Sequence, residues 1–258
     1  MANQQTAKYT ITVTLIMCLV ASVLVASAAV LLKPVQAANK TLDFKTNVLK
    51  IAGIYNPDQT VEEQFKKVEV KIVDLQSGKF TDAITDVDKF DQRASSKNPE
   101  LSEKLSAEDD IAKLIRREKF AKVFLVNDEN GLAKVILPVR GYGLWSTMSG
   151  FVALDKDLNT VIGFGFYEQL ETPGLGGEVD NPKWKQLWVG KKVYSESGDV
   201  KIEVIKGHVD GETPDAEHKV DGLSGATLTS NGVRNLVKYW MGDSGFKPFL
   251  TNLKNGDA

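Results

Sequence analysis

A run of small and hydroxylated side chains stands just before a predicted helix near the C-terminus. Residues 221–233 read DGLSGATLTSNGV and contain no basic residue. A helix N-terminus attracts anions, and Gly225 and Ala226 leave room for a phosphate to approach the backbone. Ser, Thr and Asn side chains also cap helices, and the N-cap is expected to be Thr229, Ser230 or Asn231. The run is therefore either an ordinary helix cap or a phosphate-binding loop.

The usual signatures of nucleotide binding and of hydrolysis are absent from the sequence. No GxxxxGK[ST] run occurs, and no GxGxxG run follows a predicted strand. Ser224 stands in SGAT rather than in the GxSxG turn of a serine hydrolase. His208 and His218 lie in polar stretches, and Cys18 is the single cysteine, so the chain has no Cys/His cluster for zinc or an iron–sulfur centre. We therefore expect neither catalytic residues nor a metal site.

A second irregular stretch supplies groups suited to a flat ring. Residues 168–178 read EQLETPGLGGE and follow a predicted strand directly. Upstream, residues 141–146 read GYGLWS and join two predicted hairpins. Glycines beside Trp145 and Leu175 leave a slot of the mostly apolar kind that binds planar ligands. The alternative is that Trp145 is a core or edge aromatic residue and that the glycines serve turns only.

Three motifs together resemble the FMN-binding domain family. The run from Asp221 to Thr227 (DGLSGAT) is similar to the flavinylation motif of that family, and ETPGLGGE at 171–178 and GLWS at 143–146 also match it. Within the family, the likeness is to the C subunits of bacterial sodium-translocating NADH:quinone oxidoreductases, and it extends over essentially the whole chain. The G subunits of Rnf electron-transport complexes share the threonine motif and are the alternative.

The resemblance implies a covalently bound cofactor. In the family, FMN is joined through its phosphate to the last threonine of the motif, here Thr227, by a phosphoester bond that a separate flavin transferase makes. Ser224 and Thr229 would donate hydrogen bonds to the phosphate. Asp221 would assist the transferase or its Mg2+, or else would only stabilise a turn. The other residues expected to border the cofactor are Leu144, Trp145, Glu171, Thr172, Gly174, Leu175, Gly225, Ala226 and Leu228.

The resemblance also implies electron transfer within a larger membrane complex. Nothing in the chain resembles a nicotinamide site, so the chain is expected to pass electrons between neighbouring subunits rather than to oxidise NADH. The complex would reduce quinone and export sodium, with the flavin doing the redox chemistry and the protein setting its position and potential. The residues alone leave two other possibilities: a tethered module that holds a phosphorylated ligand noncovalently, or a structural accessory subunit.

The N-terminus is predicted to be a membrane anchor. Tyr9 to Leu32 form 24 residues without a charge, and about 20 apolar residues span a bilayer as a helix. Residues 35–37 have the spacing of a signal-peptide cleavage site, but the apolar run is long for a signal peptide, which favours a retained anchor. The α-amino group and Lys8 favour a cytoplasmic N-terminus. We expect a single-pass protein of the bacterial inner membrane with its FMN region on the periplasmic side.

Charge and length constrain the part of the chain that lies after the anchor. The chain has 258 residues and a net charge of −2. The basic field that neutralises nucleic-acid phosphates is missing, and no nucleic-acid partner is expected. We expect three regions: an anchor at 1–36, a mixed α+β supporting region at 37–120 and an FMN-binding region at 121–258.

Hydrophobic periodicity predicts an α+β fold with a mainly antiparallel sheet, packed helices and one N-terminal transmembrane helix. Strands are predicted at 68–72, 123–126, 135–139, 150–154, 161–166 and 202–205, the middle four as two hairpins. Capping-box patterns predict helices that begin after Thr60 and Ser106. Apolar residues spaced i, i+3, i+4 and i+7 from Val233 to Trp240 predict a last helix that ends before Gly242.

Overall fold

The computed structural model describes residues 6–258, and the chain divides into two compact units, Met1–Phe44 and Lys45–Ala258. The first unit holds most of helix α1 (Ala7–Ile51), whose residues 7–42 are exposed. Within residues 6–258, α1 alone has the length and composition of a membrane-spanning helix. It includes Pro34, which lacks an N–H, and it continues past the predicted boundary at residue 36. The α-amino group on which the predicted orientation partly depends lies outside the described residues.

The second unit is an α+β domain, as predicted. In chain order the strands found in residues 6–258 are β1 (Val68–Asp74), β2 (Lys79–Phe80), β3 (Ser102–Lys104), β4 (Arg116–Glu118), β5 (Phe120–Asp128), β6 (Gly131–Tyr142), β7 (Thr147–Asp155), β8 (Val161–Glu168), β9 (Glu203–Val204) and β10 (Lys219–Val220). The helices after α1 are α2 (Val61–Phe65), α3 (Gln92–Ser95), α4 (Pro182–Gln186), α5 (Thr227–Met241) and α6 (Lys247–Asn255). Short 3-10 helices lie at Gly176–Asp180 and Ala216–His218.

Six strands form one antiparallel sheet in the order β2-β1-β5-β6-β7-β8. Both predicted hairpins are confirmed, β5 with β6 and β7 with β8. The β5–β6 hairpin turns where Asp128 faces Gly131, and Gly131 has a φ of +104°, which favours glycine. The order places the last residues of β6 and of β8 on either side of the first residues of β7. The segments that follow β6 and β8 are those with the GLWS and ETPGLGGE motifs.

Both faces of the sheet are covered. On one face Leu236, Trp240 and Phe249 from α5 and α6 join the main core cluster, and Trp188 stacks on Phe164 with ring centroids 4.0 Å apart. On the other face the Phe65 ring packs edge-on against Phe124, and Val48 and Leu49 of the last turns of α1 are fully buried. Burial on both sides explains why every residue of β7 between its two ends is buried and the strand does not alternate.

The capping-box pattern at Ser106 predicted a helix, and that prediction is wrong. The Ser106 hydroxyl does pair with Asp109, at 2.6 Å, but the chain then turns. The Asp110 carboxylate accepts the N–H groups of Leu114 and Ile115, at 2.6 and 2.7 Å, and Ile115 has a φ of +66°. Side-chain acceptors thus replace the carbonyl acceptors that a helix needs.

Other elements are only partly as expected. The pattern after Thr60 is confirmed, because the Thr60 hydroxyl accepts the N–H of Glu63 at the start of α2. The predicted strand at 202–205 shortens to β9, which pairs in parallel with β10. Helix α5 ends before Gly242 as predicted, but it is followed by α6, which the sequence pattern did not reveal.

Candidate functional site

Helix α5 begins at Thr227, two residues before Thr229, which is the first of the expected N-cap residues. Its N-cap is Ala226, which has no side chain able to bond the helix start. Thr227 is exposed, whereas Thr229 and Ser230 are buried within the first turn. The Ser230 hydroxyl accepts the N–H of Leu223 at 2.9 Å and so closes the preceding loop. The predicted N-caps are therefore wrong, and the first N–H groups of α5 are left without a capping side chain.

The loop before Thr227 reaches the segment that follows β8. Gly225 has a φ of +71°, a conformation that favours glycine, and a Cβ there would lie 3.1 Å from the Leu175 side chain. Ser224 and Gly225 are exposed, and Ala226 is buried. The loop before Thr227 therefore packs against Leu175.

Asp221 holds the loop from its other end. Its carboxylate accepts the N–H of Val209 at 2.8 Å and contacts the ring Nδ1 of His208. Its backbone carbonyl accepts the indole N–H of Trp184 at 2.9 Å. These bonds give Asp221 the turn-stabilising role that was one of its two expected roles. The other, assistance to a transferase, stays a prediction.

Glu171 joins three segments of the chain. One carboxylate oxygen, Oε1, accepts the N–H groups of Leu144 and Trp145, each at 3.0 Å. The other, Oε2, accepts the Thr229 hydroxyl at 2.6 Å. Thr229 was expected to donate to a phosphate, but its proton is directed to Glu171, and its side chain is fully buried. Glu171 was expected to border the ring, which stays a prediction, and its side chain is buried.

Glycines make this close packing possible. A Cβ on Gly143 would lie 2.5 Å from Oε1 of Glu171, and a Cβ on Gly176 would lie 2.5 Å from the Thr229 hydroxyl. A Cβ on Gly232 of α5 would lie 2.6 Å from the Tyr142 carbonyl. Real Cβ atoms do not approach so closely, so these three glycines let α5 and the two loops pack against one another.

Exposed apolar side chains lie on the two loops that meet at Glu171 and on the first turn of α5. The Trp145 ring is 65% exposed, and its indole N–H donates to the Thr172 hydroxyl at 3.1 Å. Gly174 lies beside them with a φ of +75° and with open space where a Cβ would be. We call this surface the apolar rim; its large exposed residues are Leu144, Trp145, Leu170, Leu175 and Leu228. The rim contains the aromatic and aliphatic residues that the sequence predicted, together with Leu170, which it did not single out.

A groove that is lined in part by Thr227 also contains two basic side chains that the sequence analysis did not single out. The groove has a volume of about 70 Å³. Its lining includes Thr227, Ser230, Asn231, Lys206 and Arg234. The spacing of Arg234, seven residues after Thr227 on one helix, would have placed both on the same face. Among residues 6–258, no group of three His, Cys, Asp or Glu side chains is arranged to hold a metal ion.

The comparisons with known proteins match the chain and its site region. The FMN-binding domain family model matches residues 143–242, which include all the residues of the predicted site. The C subunit of the Na(+)-translocating NADH-quinone reductase of Pseudomonas aeruginosa is 53% identical over 262 residues and covers 100% of both chains. The C subunit of Haemophilus ducreyi is 47% identical over 254 residues, covering 98% of this chain and 96% of its own.

Solved structures agree with these sequence relatives. The crystal structure of Shewanella oneidensis NqrC is 36% identical in sequence, with a TM-score of 0.78, and covers 84% of this chain and 99% of its own. The crystal structure of the C subunit from Parabacteroides distasonis is 27% identical, with a TM-score of 0.66, and covers 85% of this chain and 97% of its own.

Proposed function

The chain belongs to the family of C subunits of the Na(+)-translocating NADH-quinone reductase, and on that premise we propose that Thr227 carries FMN through a phosphoester bond. Its family makes it an FMN-binding electron-transfer subunit of such a reductase. The Pseudomonas and Haemophilus relatives are both C subunits of that reductase, which favours this assignment over the G subunit of an Rnf complex.

One observation carries the assignment to Thr227. Thr227 is exposed and is the first residue of a helix whose start no side chain caps. Free N–H groups and the positive end of the helix dipole stabilise a phosphodiester at that place. Ser224, exposed in the same loop, is a second donor, and Lys206 and Arg234 of the neighbouring groove add positive charge.

The ring of the flavin would lie on the apolar rim. Leu144, Trp145 and Leu175 expose apolar surface there, and Thr172 is held by the Trp145 indole N–H. Sites for flat cofactors combine such apolar walls with a few placed polar groups. FMN supplies reversible electron uptake and release when bound, and this chain's residues orient the ring and leave one side open to an electron donor or acceptor.

A separate flavin transferase makes the bond to Thr227, and the other subunits of the reductase deliver and receive the electrons. Helix α1 anchors the chain in the bacterial inner membrane as a single span, with the FMN-binding region on the periplasmic side. A tether of this kind keeps a carrier close to its partners and raises their effective concentration.

The test is the mass of the denatured chain. Full-length protein made together with an active flavin transferase is denatured and measured intact, and residues 219–234 are mapped as a peptide. We expect a gain of one FMN less water on Thr227 and no gain in Thr227→Val.

Thr251→Val is the matched control, because it makes the same change at an exposed threonine outside the loop, on α6. It should keep the added mass. An unmodified wild-type mass, with the transferase shown to be active on another substrate, would refute covalent attachment. Flavin that is present before denaturation and lost after it would support noncovalent binding instead.

A further inference from the structure

The Glu171 carboxylate is a buried charge held by neutral groups. The side chain is 5% exposed, and the three donors to its oxygens are two backbone N–H groups and one hydroxyl. None of the ion pairs found in residues 6–258 includes Glu171. An ionised carboxylate only accepts hydrogen bonds, which is the role both oxygens have here. The negative charge is therefore stabilised by dipoles and is not cancelled by a cation.

The Glu171 carboxylate is tightly packed among residues from distant segments of the chain. A Cβ on Gly143 would lie 2.5 Å from one of its oxygens, and a Cβ on Gly176 would lie 2.8 Å from the other. The donors Leu144 and Thr229 are 27 and 58 residues away in sequence. A charge in so enclosed a place interacts with its neighbours more strongly than one in water.

We propose that Glu171 is a positioning residue that sets both the shape and the reduction potential of the flavin site, an inference that rests on the proposed function. Its hydrogen bonds hold residues 144 and 145, which bear two side chains of the apolar rim, against α5 before any cofactor arrives. Its uncancelled negative charge opposes electron uptake by a flavin on the rim, because reduction brings further negative charge close to the carboxylate.

The electrostatic part is tested with Glu171→Gln. Glutamine keeps the size of the side chain and an oxygen for the N–H groups of Leu144 and Trp145, but it removes the charge. In full-length, flavin-loaded protein we expect the midpoint potential to become more positive. The reduction equilibrium should change about tenfold, or ~30 mV for a two-electron couple.

Glu178→Gln is the matched control. It removes the same charge from the same segment, at a half-buried carboxylate that accepts the Asn181 side-chain N–H. The potential should then stay at the wild-type value. Equal potentials in flavin-loaded wild type and Glu171→Gln would overturn the electrostatic part while leaving the proposed function intact.

The positioning part is tested without the cofactor, in full-length Thr227→Val protein. Hydrogen exchange followed by NMR should show the amides of Leu144 and Trp145 protected, with protection kept in Glu171→Gln and reduced at least tenfold in Glu171→Ala. Unprotected amides in the Thr227→Val protein would overturn this part. A wild-type chain that never takes up flavin would refute the proposed function and the electrostatic part together, and the exchange result would still decide the positioning role.

Discussion

Tyr239 is buried and Tyr194 is partly buried, and the two tyrosines differ in their hydroxyl partners. The Tyr239 hydroxyl has no hydrogen-bond partner among residues 6–258, whereas that of Tyr194 donates to the Met241 carbonyl at 2.9 Å. Burial raises the pKa of Tyr239 to about 12, and it also raises the pKa of Tyr194. Both residues therefore resist ionisation in the folded protein, since a buried phenolate lacks solvation.

We expect stability to fall in alkali for this reason. With a folded pKa above the unfolded value of 10, Tyr239 keeps its proton in the folded state where the unfolded state has lost it. Its contribution is complete below pH 10 and is lost as the pH rises through about 12. Tyr239→Phe should reduce this slope in unfolding titrations between pH 10 and about 12.

At neutral pH we expect Tyr239→Phe and Tyr194→Phe to differ in their free energies of unfolding. Tyr239→Phe removes an unpaired hydroxyl and should leave the free energy of unfolding unchanged or raised, whereas Tyr194→Phe should lose about 1 kcal/mol with its hydrogen bond. Denaturant titrations of the full chain in detergent at pH 7 would measure both. Equal losses in the two variants would contradict the assignment of partners.

At the scale of elements, helix α6 closes the core over the β1–β2 hairpin of the sheet. The Phe249 ring is fully buried and meets Phe80 edge-on, with centroids 5.3 Å apart. The Asn252 side chain donates to the carbonyls of Ser77 and Gly78, at 3.1 and 2.8 Å. The C-terminal helix is thus bonded to the turn between β1 and β2.

Phe249→Ala should therefore destabilise the folded domain strongly. Removing a buried aromatic ring leaves a cavity and costs about 3–5 kcal/mol, and Phe249→Leu should cost clearly less. Lys254→Ala, at an exposed position of the same helix, is the control and should stay within about 0.5 kcal/mol of wild type. Thermal unfolding followed by circular dichroism would rank the three. A small loss in Phe249→Ala would mean that α6 contributes little to the core.

The elements with regular periodicity were predictable, and those fixed by particular side chains were not. The two central hairpins and α5 follow from apolar spacing, because the same spacing decides which face is buried. The turn after Ser106 depends on Asp110 accepting two backbone N–H groups, which no local pattern reveals. Helix α6 is short, and its apolar residues are few.

In the candidate site, too, the positions of the segments could be predicted from the sequence, whereas particular hydrogen bonds could not. The three segments with predicted residues do converge, because β6 and β8 end on either side of the start of β7 and α5 packs near them. The Thr229 hydroxyl was assigned to the wrong partner, since it bonds to Glu171 of a distant segment. Long-range hydrogen bonds of this kind cannot be derived from local residue types.

The FMN-binding region is predicted to lie on the periplasmic side of the membrane, and thiol labelling tests this. Cys18 is the single cysteine, so Cys18→Ser gives a background for labelling. Glu129→Cys places a thiol at the exposed turn between β5 and β6, and Thr6→Cys places one before α1. A membrane-impermeant maleimide, added to cells with only the outer membrane opened, should label Glu129→Cys and not Thr6→Cys. The reverse pattern would place the FMN-binding region in the cytoplasm.

The bond between α6 and the β1–β2 turn also has a consequence for the order of assembly. Asn252 and Gly78 are 174 residues apart, so the turn is synthesised long before the helix that covers it. Contacts so distant in sequence slow folding, because a long loop must close first. Helix α1 is translated long before that moment. The nascent chain is therefore predicted to be held at the membrane while its core is still incomplete, a period in which a chaperone has access to the open edge.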